Sequence, residues 1–246
     1  MADLSSTPFS LANRRVLITG AKGGIGSETA RVCAQLGADL ILTDQDEPTE
    51  LADTLRTKAT QVETHRLDVR DRAATEALIQ QIGTPDAVIA NAGYCPWDDW
   101  LSDDWDEVFD DVIDINLRSI LHLSRAVLPG MTERGSGKIV VISSVAGRVG
   151  GLRASAHYVA AKGGASSVVK WLARRACMHG VNVNAICPGA VDTAMTATQT
   201  FDMKSIPIGR LASAREIALP AAFLCSDGAN YMSGATLDVN GGVYMN

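Results

Sequence analysis

The sequence predicts an α/β fold: one doubly wound, mostly parallel sheet of seven strands with helices on both faces. Short apolar runs alternate with segments of helical periodicity along the whole chain. A glycine-rich turn follows the first apolar run, and an acidic residue closes the second. The 246 residues, 46% hydrophobic and 20% charged, suffice for one packed α/β domain but not comfortably for a second large one.

Residues 1–13 read as a loose lead-in and 14–246 as the single domain. Val16–Ile18 is the heart of the first strand. Gly20, Gly23, Gly24 and Gly26 then fall within seven positions. An amphipathic pattern through Ile25, Thr29, Val32, Cys33 and Leu36 predicts a helix ending near Gly37. The second strand spans 39–44, and a helix over about 50–58 follows a polar turn with Pro48. A third strand, 62–67, ends at Asp68, which could cap the helix 71–81; Gly83, Thr84 and Pro85 break that helix. The fourth strand starts at Asp86 and exits through Asn91, Ala92 and Gly93. Trp105, Val108, Val112 and Ile115 or Asn116 predict a helix over 103–116 that continues to 128 and stops at Pro129 and Gly130. The acids at 103, 104, 106, 107, 110 and 111 read as its solvated face, with a substrate-screening or subunit-contact role as the alternative. Strand five is 138–143, followed by a loop rich in Gly and Arg at 144–155 and a long helix from His157 to His179. Strand six is 181–187; residues 190–209 are weakly patterned and read as a short, flexible lid. A helix at 214–224 and a strand at 236–239 complete the chain.

The formal net charge of −6, with no basic stripe, argues against nucleic acid as a partner. No apolar stretch approaches membrane-spanning length, and no basic start precedes an apolar run. A cytoplasmic protein with no membrane partner is therefore expected. The five cysteines form no framework and read as reduced core fillers. The four histidines lack ligand spacing, so no metal is expected.

Glycines after the first strand let a ligand approach the backbone, and the free N–H groups of the helix start would face an anion. With Asp44 about twenty residues on, that arrangement points to dinucleotide binding. Asp44 could bond both ribose hydroxyls of an adenosine and would repel a 2′-phosphate. No Gly-Lys-Ser or Gly-Lys-Thr closes the turn, so it is not a P-loop. Gly20–Gly26, Asp44, Asp68, Asn91–Gly93, Ser143–Ser144 and Pro188–Gly189 all fall at strand carboxyl ends, which such a fold brings to one edge.

Tyr158 and Lys162 share one helix face. A phenol titrating near ~10 is a poor base at neutral pH. A neighbouring ammonium and a nicotinamide cation would both favour the phenolate. Ser143 and Ser144 end strand five, where a hydroxyl beside the phenol could hold a substrate oxygen; a cap or turn pair is the other reading. A serine hydrolase would need a G-x-S-x-G elbow, which the chain lacks. His157 directly precedes Tyr158, so the two side chains point apart and His157 reads as a packing or rim residue. Asn116, within an apolar helical patch, must bond either backbone or a water in a proton path.

TGAKGGIG at 19–26, Asp68 with Val69, Asn91-Ala92-Gly93, Asn116, the Ser144/Tyr158/Lys162 set, NAICPG at 184–189, Thr193 and SGATLDVNGG occur in that order. On these motifs the chain, from Arg14 to Gly242, resembles the short-chain dehydrogenase/reductase family. The resemblance implies a single-domain Rossmann fold and an NAD(P)(H)-dependent oxidoreductase acting on an alcohol or carbonyl. It implies Tyr158 as base in alcohol oxidation and acid in ketone reduction. Lys162 would lower the phenol's pKa and bond the nicotinamide ribose, Ser144 would polarise the substrate oxygen, and Asn116 would hold a relay water. Gly20, Lys22, Gly23, Gly24, Ile25, Gly26, Asp44, Asp68 and Val69 would hold the adenosine and phosphates. Asn91, Ala92, Gly93, Ile186, Pro188, Gly189, Val191 and Thr193 would line the rest of the cofactor.

Asp44 makes NAD the expected cofactor; phosphate-preferring relatives often carry a base where this chain has Gly23, and Lys22 lies one position earlier. The substrate pocket would draw on Cys95, Trp97 and Ser144, on the 145–155 loop with Ala146, Arg148 and Arg153, and on the 190–206 lid with Met195 and Phe201, with Trp100 nearby. A small secondary alcohol, polyol or sugar is the expected substrate; Arg148 or Arg153 would serve a carboxylate. The enzymatic alternative is a 3-oxoacyl-[acyl-carrier-protein] reductase. Asp44 and the acidic 98–111 stretch speak against it, since such proteins usually prefer the phosphorylated cofactor and dock an acidic carrier. A non-catalytic nucleotide-binding regulatory protein would carry a broken Ser/Tyr/Lys set. The resemblance further implies a homotetramer, less often a homodimer, built on 103–128 and 157–179. Three departures stand out. From Ser144 to Tyr158 is fourteen positions, one more than family members commonly show, leaving Ser143 open as the active serine. The helix before Asn116 is about one turn longer, and the stretch from Thr193 to Ile206 is short for a lid.

Overall fold

Side chains alternate across a strand, so a strand apolar at every position must be covered on both faces. Seven strands meet that condition or flank it: β1 (Arg15–Thr19), β2 (Asp39–Asp44), β3 (Val62–Arg66), β4 (Ala87–Ala90), β5 (Gly137–Ile142), β6 (Val181–Pro188) and β7 (Thr236–Val239). The computed structural model describes residues 7–56, 61–98, 100–151 and 154–246. The strands form one sheet in the order β3-β2-β1-β4-β5-β6-β7, every neighbouring pair parallel. Between them run α1 (Gly24–Gln35), α2 (Thr49–Leu55), α3 (Arg72–Ile82), α4 (Trp105–Ile113), α5 (Ser119–Arg134), α6 (Ala146–Val149), α7 (Ala156–Ala176) and α8 (Ala214–Cys225). Val16 and Ile18 turn toward Ala30, Ala52 and Ile217 of α1, α2 and α8. Leu17 turns to the other face, toward Ile79, Val127 and Val169 of α3, α5 and α7. This is the doubly wound sheet the sequence predicts. The chain leaves β1 toward β2 and β3 and returns to β4 on the other side, so the ligand crevice opens where β1 and β4 end.

Several elements differ from expectation. The lead-in is not loose over its described part. Leu11 is fully buried and donates its N–H to Leu36 O at 2.9 Å, and Phe9 packs on Phe223 with centroids 5.9 Å apart. The second helix stops at Leu55; residues 57–60 lie outside those described. Asp71, not Asp68, caps α3, accepting the Ala74 N–H at 3.0 Å. The expected continuous helix divides into α4, a π-helical turn Asp114–Arg118, and α5. α5 then runs through Pro129 to Arg134 instead of stopping. Val127 and Met131, fully buried on either side, hold it against the sheet. Gly130 leaves the space Thr84 occupies: a Cβ there would lie 2.1 Å from Thr84 Oγ1. Gly135, at φ 72°, ends the helix in the left-handed conformation. The 144–155 loop contains the single turn α6, and 190–209 contains one 3-10 turn, Met203–Ser205. The six acids of the 103–111 stretch are exposed. Among the described residues no helix is long and apolar enough to cross a membrane, and no cluster of potential metal ligands occurs.

Candidate active site

The turn after β1 is packed from below and open above. Gly20 sits at φ 66°, and a Cβ there would lie 2.8 Å from Ala92 Cα. A Cβ on Gly26 would lie 2.2 Å from Gly20 O, and one on Gly24 2.6 Å from Thr193 Cγ2. The Asn91 amide donates to Thr19 O and Gly20 O, both at 3.0 Å, tying the ends of β1 and β4 together. No side chain caps α1 and its first turn holds no acid, which leaves its N–H groups for an anion. At the end of β2, Asp44 Oδ2 accepts the Lys22 N–H at 2.9 Å and Oδ1 the Gln45 N–H at 2.8 Å. The Lys22 ammonium turns to Asp46, 3.3 Å away. A pyrophosphate at α1 and an adenosine ribose at Asp44 fit this cradle. Gly26→Ala should lower stability by about 1–3 kcal/mol and abolish binding of a dinucleotide in the cradle, since its Cβ would lie 2.2 Å from the Gly20 carbonyl oxygen; a denaturant melt and a fluorescence titration check both.

From the cradle a cavity of about 840 Å³ leads to Ser144, Tyr158 and Lys162. The Ser144 hydroxyl accepts the Ala146 N–H at 3.1 Å and stands beside the Tyr158 phenol, where it favours the phenolate. One helical turn along α7, Lys162 Nζ lies 5.6 Å from the phenol ring centroid and donates to Ile142 O at 2.9 Å. Burial pushes the Lys162 ammonium down to about 8. Burial also pushes the Tyr158 phenol well above its usual range, with Cys95 adding to the rise and the Ser144 hydroxyl opposing it. The expected lowering by the ammonium is therefore outweighed in the protein alone: desolvating a phenolate costs more than a charge at that distance returns. Ser143 Oγ is committed to Lys162 O at 2.9 Å and Ser166 Oγ at 3.0 Å, so Ser144 is the serine that faces the phenol. Asn116 lies within the π turn, a feature that recurs at functional sites. Its amide donates to Tyr94 O at 2.7 Å and Val112 O at 2.9 Å, and its Oδ1 accepts the Tyr94 N–H at 3.2 Å. It is thus bonded to backbone, with Oδ1 and Lys162 Nζ on the same side of Gly93.

A family model described as Enoyl-(Acyl carrier protein) reductase matches residues 20–244. The 3-oxoacyl-[acyl-carrier-protein] reductase FabG of Pseudomonas aeruginosa is 39% identical over 248 residues, covering 96% of this chain and 100% of that relative. The chain is a short-chain dehydrogenase/reductase. Two solved structures are similar to it. One, from Agrobacterium tumefaciens, is provisionally described as a 2-deoxy-D-gluconate 3-dehydrogenase with bound NADP. It is 32% identical, with a TM-score of 0.88, covering 97% of this chain and 99% of that one. The other, from Beutenbergia cavernae, is provisionally described as an NAD(P)-dependent gluconate 5-dehydrogenase with NADP at low occupancy. It is 31% identical, with a TM-score of 0.87, covering 96% and 98%.

As a short-chain dehydrogenase/reductase, the chain is an oxidoreductase that takes a nicotinamide dinucleotide. Of the residues expected at its cofactor, Gly20, Lys22, Gly23, Gly24, Ile25, Gly26, Asp44, Val69, Asn91, Ala92, Gly93, Pro188, Gly189, Val191 and Thr193 line the cavity. Asp68 does not line it; its carboxylate is bound by Arg70 at 2.7 Å, which holds it below the usual carboxylate range. Of the expected substrate wall, Cys95, Trp97, Ser144, Ala146, Met195 and Phe201 line the cavity. Arg148 does not; its guanidinium stands 3.3 Å from Asp238 and over the Tyr244 ring. Trp100 is 64% exposed and also stands outside the lining; Arg153 lies outside the described residues. Val149 and Ile206, from the loop and the lid expected at the pocket, line the cavity too, whereas sequence reasoning missed Gln45 and Val243. Gln45 follows the acid that was recognised, but nothing in the sequence signals that Val243, beyond the last strand, returns to the site.

Proposed function

We propose that this short-chain dehydrogenase/reductase interconverts a secondary alcohol and its ketone with NAD(H). The observation that carries the reading is one cavity continuous from the Asp44 carboxylate to the Ser144/Tyr158/Lys162 set. When bound, the nicotinamide supplies the acceptor or donor of the hydride. Tyr158 exchanges the proton of the reacting oxygen, and Ser144 holds that oxygen beside the phenol. Lys162, anchored on Ile142 O, keeps positive charge behind the phenol and would hold the nicotinamide ribose of a bound cofactor. Asn116, bonded to the backbone on both sides of its amide, fixes the bend beside Lys162 from which a relay water would hang. Holding the reactants in line and keeping charge preorganised supplies most of the rate.

The described substrate end is mainly apolar: Cys95, Trp97, Val149, Met195, Phe201 and Ile206. That composition favours an alcohol with apolar substituents over a polyol or sugar. A 3-oxoacyl-[acyl-carrier-protein] reductase is the second reading, favoured by the FabG likeness and by a wall that suits an acyl chain. Against it stand Asp44, a Lys22 ammonium engaged by Asp46, and the exposed acids of α4. The intact Ser/Tyr/Lys set counts against a non-catalytic regulatory protein. A homotetramer, or a homodimer, built on α4, α5 and α7 is part of the same proposal.

The decisive test of the cofactor is Asp44→Ser. A carboxylate facing a 2′-phosphate costs several kcal/mol, so the NADP-to-NAD ratio of kcat/KM should rise on the order of 100-fold. An unchanged ratio would remove Asp44 as the determinant.

A further inference from the structure

The first turn of α7, which carries Tyr158, is capped in an unusual way. Ser155 occupies the cap position, yet its hydroxyl makes no capping bond and donates to Asp98 Oδ1 instead. The Tyr158 N–H is accepted by Nδ1 of His157, at 2.8 Å. With Nδ1 an acceptor, the neutral ring carries its proton on Nε2 and donates it to Asp98 Oδ2 at 2.9 Å. Burial alone would raise the Asp98 carboxyl; the bonds from Ser155 and His157 hold it below the usual carboxylate range. His157 is fully buried. Its ring stacks on Trp105 at the start of α4, with centroids 5.3 Å apart and planes 5° off parallel, and Phe109 flanks it.

Asp98 belongs to the loop that forms the substrate wall, directly after Trp97. Trp97 stands at φ 58°, a left-handed conformation that a non-glycine residue keeps only when its surroundings impose it. Its indole N–H reaches across to Met195 O at 3.0 Å, joining the wall to the 190–209 segment. A continuous set of bonds thus runs from the backbone of Tyr158 through His157 and Asp98 to Trp97 and Met195. Neither Asp98 nor His157 lines the cavity, so any effect on the reaction passes through Tyr158 and Trp97.

We propose that Asp98 and His157 act together as a positioning pair that fixes the Trp97 wall relative to Tyr158 and so sets the size of substrate accepted. The substrate readout rests on the secondary-alcohol reading above; the hydrogen-bond readout does not. A pair that only held the fold together would, when broken, lower stability and slow every substrate alike.

The experiment compares the full-length protein with Asp98→Ala, Asp98→Asn, His157→Phe and the Asp98→Ala/His157→Phe double variant. NADH binding is followed by fluorescence, and kcat and KM are measured with NAD and secondary alcohols from propan-2-ol to octan-2-ol. The imidazole is observed by nitrogen-15 NMR. His157→Phe keeps the stack on Trp105 and removes both ring bonds. In Asp98→Ala and His157→Phe, NADH affinity should stay within about twofold and the short-to-long selectivity in kcat/KM should shift on the order of 10-fold, mostly through KM. The double variant should lose no more than the worse single one, since the two residues act as a unit. Asp98→Asn should restore the native selectivity, because its amide oxygen still accepts from Nε2 and its NH₂ can donate to Ser155. The wild-type ring should be the Nε2–H tautomer, with that signal altered in Asp98→Ala. An equal fall across all alcohols, additive losses, or an Nδ1–H tautomer would overturn the proposal. If no alcohol turns over, the secondary-alcohol reading fails; the selectivity is then read on 3-oxoacyl thioesters with NADPH, and the tautomer still decides the pair.

Discussion

Tyr158→Phe lowers turnover by about 10²–10⁴-fold, the usual worth of a positioned proton carrier, and leaves NADH affinity intact. The phenol oxygen is the group that meets the Ser144 hydroxyl, and phenylalanine keeps the ring while removing the proton. No described neighbour can replace it. The Cys95 thiol is pushed up to about 11 by burial, and Lys162 is tied to Ile142 O. The sign of the pH dependence follows from the phenol's raised pKa. Ketone reduction needs the protonated form and should hold through neutral pH. Alcohol oxidation needs the phenolate and should quicken as pH rises. Rates in both directions, with NADH titrated in parallel, check the expectation. A variant as active as the wild type would remove Tyr158 from the chemistry.

Lys162→Met should separate function from stability. Losing a preorganised charge at a reacting centre should cost about 10²–10³-fold in kcat/KM. The fold should be no less stable, because Lys162 is only 4% exposed and the one described hydrogen bond of its ammonium is to Ile142 O. An apolar residue of similar length in a buried charged site is often neutral or stabilising. Burial holds the folded-state pKa at about 8, below that of an unfolded lysine. Between those two values the unfolded chain binds more protons than the folded one, so wild-type stability should rise with pH through that window. Below about 8 both states are charged and the desolvation cost is fully present. The gain from methionine should therefore be largest at neutral pH and should shrink as pH climbs. Denaturant melts at neutral and alkaline pH read that difference directly.

The layered sheet was legible because its signals are local. Val16–Ile18, the glycines at 20–26 and Asp44 announce strand, turn, helix and acid without reference to anything distant. Tyr158 and Lys162 were legible as a pair because a helix puts them on one face. Much of what escaped depended on partners remote in sequence. Pro129 reads as a stop, yet buried Val127 and Met131 and the fit of Gly130 against Thr84 carry α5 past it. Asp68 reads as a cap or an adenine contact, but Arg70 and then Asp111 draw it into a surface network. Arg148 reads as a substrate cation until Asp238, ninety residues on, takes it. His157 reads as packing, as its burial bears out, but its bond to Asp98 spans 59 residues and no local pattern announces it. The choice between Ser143 and Ser144 needed the third dimension, because it turns on which hydroxyl Lys162 O and Ser166 occupy.

The measurement that bears most directly on the central claim is a paired assay of cofactor reduction. Purified protein is given NAD or NADP with a graded series of secondary alcohols, and NADH or NADPH with the matching ketones and a 3-oxoacyl thioester. NAD reduced by apolar secondary alcohols, with NADP poorly used, is the predicted result. Consumption of NADPH alone, with the 3-oxoacyl thioester alone, would contradict it and place both Asp44 and the pocket in the service of acyl-chain reduction.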